Sequence, residues 1–230
     1  MVGIIGVGLF VYKVRIKAIQ KEEKAKGEIQ KRLAETKLEA LQSQMNPHFI
    51  FNAMNSIQNF IIDNDVDRAL MFMGEFSKLV RQTLDNSSKL KITLETELEY
   101  LKSYITLENM RFGNRVSVDI SVDEDIEPYD IELPPMLVQP FIENVFVHAF
   151  DSHSLTPTLK VAFEVQDGLL IIQVIDNGKG INLESNSRLF KSKGMMLAKE
   201  RIALFQSDSE PVEVISAINI GTTIIIKLPI

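Results

Sequence analysis

The chain has 230 residues, 45% hydrophobic and 24% charged, with a formal net charge of −6. This is a globular balance, enough for one large domain or two small ones, and the acidic excess excludes nucleic-acid binding by the chain as a whole. The absence of cysteine excludes disulfides, thiolate metal sites and cysteine nucleophiles.

The first twelve residues, MVGIIGVGLFVY, are uniformly apolar and are followed by Lys13, Arg15 and Lys17. A membrane span needs about 20 apolar residues, and a signal peptide carries its positive charge ahead of the apolar run. Residues 1–12 therefore read as the cytoplasmic end of a transmembrane helix that begins upstream. The basic flank obeys the positive-inside rule and places the rest of the chain at the cytoplasmic face of the cell membrane. A short apolar N-terminus packed on the protein is the alternative. Residues 13–40 read as a solvated linker or coiled-coil helix, weakened at Gly27.

Residues 41–90 read as two helices. In LQSQMNPHFIFNAMNSIQ and its continuation, Met45, Phe49, Ala53, Ile57 and Phe60 form one apolar stripe. Gln44, His48, Asn52, Asn55 and Asn59 form a polar stripe on the other side. That position argues against a core role for His48, one of three histidines. Pro47, just before it, either bends a continuous helix or starts a new one. After the DNDVD turn, a second helix carries Leu70, Met73, Phe76, Val80 and Leu84 as its stripe. Two antiparallel helices with such wide apolar faces cannot bury them alone. Pairing with a second copy gives a dimeric four-helix bundle.

Residues 91–114 read as a connecting helix capped by Thr93. From residue 115 the periodicity changes. RVSVDISVD alternates as a strand, LPPMLVQPFIENVFVHAF reads as a proline-started helix in which Pro140 is either tolerated near the first turns or an interruption, and a hairpin turns at Asp167–Gly168. VEVISAINIGTTIIIKLPI closes the chain as another hairpin. The predicted fold class is α+β: an N-terminal helical hairpin forming a dimeric four-helix bundle, then an α/β sandwich over 115–230.

Four segments of the second half carry chemistry. In VIDNGKGI, Asp176 at a strand end offers a carboxylate to an exocyclic amine such as adenine's, and Gly178 and Gly180 permit close backbone approach. In QPFIENVFVHAF, Asn144 and His148 share a helix face beside Glu143, and an amide oxygen suits a Mg²⁺ shell of phosphates and water. In SKGMMLAKERI, Gly194 opens a helix whose free N–H groups suit phosphate, after a polar stretch that reads as a lid. In IGTTIII, Thr222 brings a hydroxyl at a strand start. Taken singly, each is also a tight turn or a polar helix edge; in this order they form a nucleotide site.

This order resembles the Bergerat-fold ATPases of gyrase, MutL and the histidine kinases. The string Asn-Pro-His-Phe-Ile-Phe-Asn at 46–52 narrows the resemblance to the LytS/YehU-type sensor histidine kinases, over roughly residues 35–230. The resemblance implies ATP and Mg²⁺ as cofactors, a homodimer, and transfer of phosphate to an aspartate of a response regulator. It implies that His48 is the phosphoacceptor, that Asn144 binds Mg²⁺ through the ATP phosphates, and that Glu143 and His148 lie near those phosphates. It further implies that Asp176 holds the adenine amine in a pocket shaped by Gly178 and Gly180. Gly194 would hinge the lid and Thr222 would support Asp176. Asn52, one turn past His48 on its stripe, is placed to orient the imidazole or a water. The chain departs from the family at Ser192–Leu197: one glycine of the usual pair is kept, and Leu197 stands where an Asn is common. Phe49 follows the histidine, so no adjacent carboxylate can take its proton. Two other readings stand beside the kinase: a nucleotide-binding relay without catalysis, and a Bergerat ATPase with Glu143 as its base.

Overall fold

The 3.6-residue period of the first half and the two-residue alternation of the second become helices and strands respectively. The computed structural model describes residues 47–150, 156–181, 196, 198, 201–202 and 212–230. The predicted membrane end, the linker helix, the stretch before Pro47, the lid and Gly194 lie outside the described residues, as does the His48 side chain. The chain divides into two units, Met1–Ile50 and Phe51–Ile230. Of the first, Pro47–Ile50 are described, and they are helical. Among the described residues no helix is long and apolar enough to cross a membrane.

Helix α1 spans Pro47–Ile62. Helix α2 spans Val66–Ser87 and is capped by Asp65, whose side chain accepts the Arg68 N–H at 3.1 Å. That cap satisfies one of the N–H groups a helix start leaves unpaired. The buried residues of α2 are Ala69, Phe72, Leu79, Thr83 and Asn86. The predicted stripe is not this face: Leu70, Met73 and Leu84 are exposed, and Phe76 and Val80 are half-buried. Helix α2 thus has two apolar faces, and the chain itself covers the one that sequence periodicity did not single out.

Strand β1 (Ile92–Thr93) leads into helix α3 (Leu94–Arg111), capped by Thr93. Helix α3 is buried almost all round, with Leu94, Leu98, Leu101, Ile105 and Leu107 in the core. Arg68 ties α2 to its far end by donating to the Met110 carbonyl at 2.9 Å. The chain leaves α3 through Gly113 and Asn114, both left-handed (φ 68° and 58°). Asn109 then clamps the next segment: its Nδ2 donates to the Val116 carbonyl at 2.9 Å and its Oδ1 accepts the Val116 N–H at 3.1 Å.

The remaining strands are β2 (Ser117–Val122), β3 (Glu132–Leu133), β4 (Thr158–Gln166), β5 (Leu169–Asp176), β6 (Val212–Ala217) and β7 (Gly221–Pro229). Strand β3 pairs with β1. The others form a five-stranded sheet in the order β2-β4-β5-β7-β6, with β2 and β4 parallel and the rest antiparallel. Asp167 and Gly168 turn β4 into β5 with φ of 52° and 77°, the left-handed pair that a two-residue hairpin of matching twist requires. The helix expected from Leu133 onward is shorter. Residues Glu132–Leu133 are strand, and helix α4 runs from Gln139 to Asn144. Pro140 lies in its first turn, where its missing N–H costs nothing, so it opens the helix and does not interrupt it. The helix then widens into a π-helical turn, Val145–Ala149. Phe146 and Phe150 pack edge-on with Phe112 at the end of α3, centroids 5.5–6.4 Å apart.

Candidate nucleotide site

The alternation that builds the core also builds one wall of the site. On β5, Leu170, Ile172 and Val174 are buried; on β7, Leu228, Ile226 and Ile224 stand opposite them in register. The next pair in this row is Asp176 and Thr222, both buried. A carboxylate and a hydroxyl thus continue an apolar row at the strand ends, because inward positions recur every second residue.

Asp176 is held by backbone donors. Its Oδ1 accepts the Gly178 N–H at 2.8 Å, and the Thr222 N–H also bonds the carboxylate. Burial pushes its pKa up, and these two N–H groups oppose the rise. A carboxylate offers about four acceptor positions. The two bonds leave capacity for a further donor, which fits an exocyclic amine. The support from Thr222 comes through its main chain; its hydroxyl lies 2.9 Å from Ser216 Oγ. Ser216 Oγ in turn donates to the Gly221 carbonyl at 2.9 Å and accepts the Ile181 N–H at 2.8 Å. Ser216 therefore joins β7 to the residue that follows the glycine turn. Sequence reading passed over it because a serine in an alternating strand looks like an ordinary outward position.

The glycines of this turn make room for protein backbone. A Cβ on Gly178 would fall on the Ala149 carbonyl, one on Gly180 (φ 65°) on the Ala217 carbonyl, and one on Gly221 (φ 134°) on the Asp176 carbonyl. The Lys179 N–H donates to the Ala149 carbonyl at 3.0 Å, and the Lys179 carbonyl accepts the Asn219 N–H at 2.7 Å. Asn177 bonds the Thr158 N–H and the Thr156 carbonyl at 2.7 and 2.8 Å. The turn is stitched on three sides. One stitch is to Ala149, the last residue of the π-helical turn that begins after Asn144. This brings the helix of Glu143, Asn144 and His148 to the turn of Asp176, Gly178 and Gly180.

Asn144 and Glu143 are half-buried and His148 is exposed. Glu143 lies within electrostatic reach of Tyr100 and Tyr104 on α3. Asn52 is half-buried on α1, and its carbonyl accepts the Ser56 hydroxyl at 2.9 Å. His48 belongs to the first unit, on the helical stretch Pro47–Ile50. Among the described residues no group of three or more His, Asp or Glu is arranged to hold a metal. A Mg²⁺ shared by one amide and a nucleotide's own phosphates needs no such cage.

A further cluster was not legible in sequence. Glu97, fully buried on α3, accepts the N–H groups of Met136 at 2.8 Å and Val138 at 3.1 Å, in the loop that enters α4. Burial pushes its pKa up to about 7, against the lowering pull of those N–H groups, the Arg201 charge and the Leu137 N–H. Arg201 donates to the Pro135 and Met136 carbonyls at 2.8 and 3.0 Å. In sequence Glu97 is one of several acids in LETELEYL, and nothing local marks it as buried.

An α+β chain with a mixed five-stranded sheet, an Asn-bearing helix and Asp176 at a strand end defines a Bergerat-type ATP-binding fold. Comparison with solved structures agrees. The histidine kinase domain of a blue-light activated histidine kinase from Erythrobacter litoralis superposes with a TM-score of 0.51 at 17% identity, covering 86% of this chain and 95% of that one. At that identity the likeness speaks for the fold alone. A family model described as histidine kinase matches residues 36–116. The sensor protein LytS of Enterococcus faecalis is 34% identical over 171 residues, 74% of this chain and 28% of that protein. LytS of Bacillus anthracis is 30% identical over 208 residues, 86% of this chain and 35% of that protein. The chain belongs to the histidine kinase family, among its LytS-type members. It spans about a quarter to a third of the length of these relatives.

Proposed function

We propose that the chain is the kinase portion of a two-component sensor: it phosphorylates His48 from ATP with Mg²⁺ and passes the phosphoryl group to an aspartate of a response regulator. The observation that carries this reading is the buried Asp176 carboxylate, fixed by the Gly178 and Thr222 N–H groups with acceptor capacity left for an adenine amine. Bound ATP supplies the phosphoryl group and bound Mg²⁺ neutralises its charge. Asp176 selects the base. Asn144 contributes an amide oxygen to the metal, with Glu143 and His148 beside the phosphates and Gly194 at the lid. His48 supplies the nucleophile: imidazole, with an ordinary pKa near 6.5, is largely neutral at pH 7. Asn52 orients it.

Residues 41–90 serve as the dimerisation and phosphotransfer helices, 91–114 as the connecting helix and 115–230 as the ATP-binding domain. Residues 1–12 attach the chain to the membrane at its cytoplasmic face. A homodimer is supported by the apolar side chains that α1 and α2 leave exposed, among them Phe51, Ile61, Leu70 and Met71. Covering such a face is what a second copy of the hairpin does in a four-helix bundle.

Incubation with γ-labelled ATP tests the reading. Label retained on the chain and lost in His48→Ala is the expected result. The departure at Ser192–Leu197 favours a second reading, a relay that binds nucleotide without transfer. Binding without label would support that one. Free phosphate released equally by His48→Ala would point to an ATPase.

A further inference from the structure

Helix α3 meets the entrance of the Asn144-bearing helix at two polar contacts, the first buried and the second half-buried. At the first, Glu97 accepts the Met136 and Val138 N–H groups. At the second, one turn on, the Tyr100 hydroxyl donates to Gln139 Oε1 at 2.8 Å, and Gln139 is the first residue of α4. The Thr83 hydroxyl of α2 donates to the Leu79 carbonyl at 2.8 Å and lies 3.4 Å from the Tyr100 hydroxyl. The loop between the two contacts is strained: Met136 is a non-glycine residue at φ 53°, buried in the core. Such a conformation persists where its surroundings over-determine it. Here Glu97 holds its N–H and Arg201 holds its carbonyl. Arg201 follows Gly194 by seven residues, so the loop is gripped by α3 from one side and by the chain after the lid from the other.

We propose that Glu97 and Tyr100 are positioning residues for the nucleotide site: by fixing the strained loop 134–138 and the start of α4, they set the placement of Glu143 and Asn144. The inference rests on the reading of that site as one for Mg·ATP. Since Thr83 of α2 reaches Tyr100, a change in how α2 lies on α3 alters nucleotide affinity through this contact. The reverse holds by linkage: nucleotide bound at Asn144 stabilises the grip of Glu97 and Tyr100.

The test uses the full chain with Mg·ATP as probe. Glu97→Gln keeps size and one acceptor oxygen while setting an NH2 donor against one of the two loop N–H groups, and Tyr100→Phe removes the hydroxyl alone. Each is expected to raise the KM for ATP five-fold or more, with label incorporation at saturating ATP within two-fold of wild type. General loosening of the domain would lower both. Asn144→Ala and Asp176→Asn serve as controls. If they bind Mg·ATP like wild type, the nucleotide-site reading fails. If they lose binding while Glu97→Gln and Tyr100→Phe keep the wild-type KM, this inference alone is overturned. Hydrogen exchange in the wild-type chain gives a measure independent of any variant. Mg·ATP should slow exchange at the Met136 and Val138 amides, and unchanged protection there overturns the proposal.

Discussion

At the residue scale, Glu97 carries the plainest consequence of burial. Its pKa rises from 4.5 to about 7 on folding. The groups that face it are Arg201 and, on its own helix, Tyr100; the packed loop contributes backbone amides. Arg201 and Tyr100 keep one charge state through that window. Because the folded chain holds the proton more tightly, this contribution to stability is complete below pH 4.5 and is lost as pH rises through 7. The loss amounts to about 3 kcal/mol at 1.36 kcal/mol per unit. Denaturant titrations of wild type and Glu97→Gln at about pH 4 and about pH 8 should therefore show wild type losing ground to the variant as pH rises. Parallel profiles would mean that Glu97 does not titrate. Gly180 illustrates steric demand. With φ of 65° and the Ala217 carbonyl where its Cβ would stand, Gly180→Ala should cost at least about 1–3 kcal/mol. A lower melting temperature together with weakened ATP binding is the outcome to look for.

At the element scale, α3 holds the molecule together by its two ends. Its start carries Glu97 against the loop before α4, and its end carries Asn109 against Val116, just ahead of β2, and Phe112 against Phe146. Asn109 behaves as an extra residue of sheet backbone, accepting from and donating to Val116. Replacing it with alanine removes both bonds and leaves the partly buried Val116 groups unpaired, at about 1–3 kcal/mol. Chemical denaturation of Asn109→Ala measures this, and an unchanged midpoint would show that water replaces the clamp. Sequence periodicity found α3 and its Thr93 cap, since both are local signals. It did not find which of its acids turns inward, because α3 is buried on nearly every side and its contacts come from distant segments.

At the scale of the whole molecule, the two faces of α2 matter most. One face, with Ala69, Phe72 and Leu79, is covered within the chain; the other, with Leu70 and Met73, is exposed along with Phe51 of α1. A homodimer formed through the exposed face should separate when Phe51 and Leu70 are replaced by glutamate. Sedimentation would then report monomers at concentrations where wild type is dimeric. Folding of the chain should be little affected, since surface substitutions usually move stability by less than about 0.5 kcal/mol. A dimer that survives both changes would place its interface elsewhere.

By itself the sequence determined the class of fold and the place of Asp176 and Thr222. Two-residue alternation is a property of the strand, and it carries those polar side chains to the inner face once β5 and β7 pair. It also determined where α3 begins and where β4 turns into β5, through Thr93 and through Asp167–Gly168. Tertiary structure alone decided what fills the space the glycines leave: the carbonyls of Ala149, Ala217 and Asp176. It alone decided that α2 is covered on the face beside its predicted stripe, and that Glu97 is a buried carboxylate gripping a strained loop. The physical reason is common to all three. Each depends on which segments meet across the fold, and a local period records the faces an element offers but not the partner that takes them.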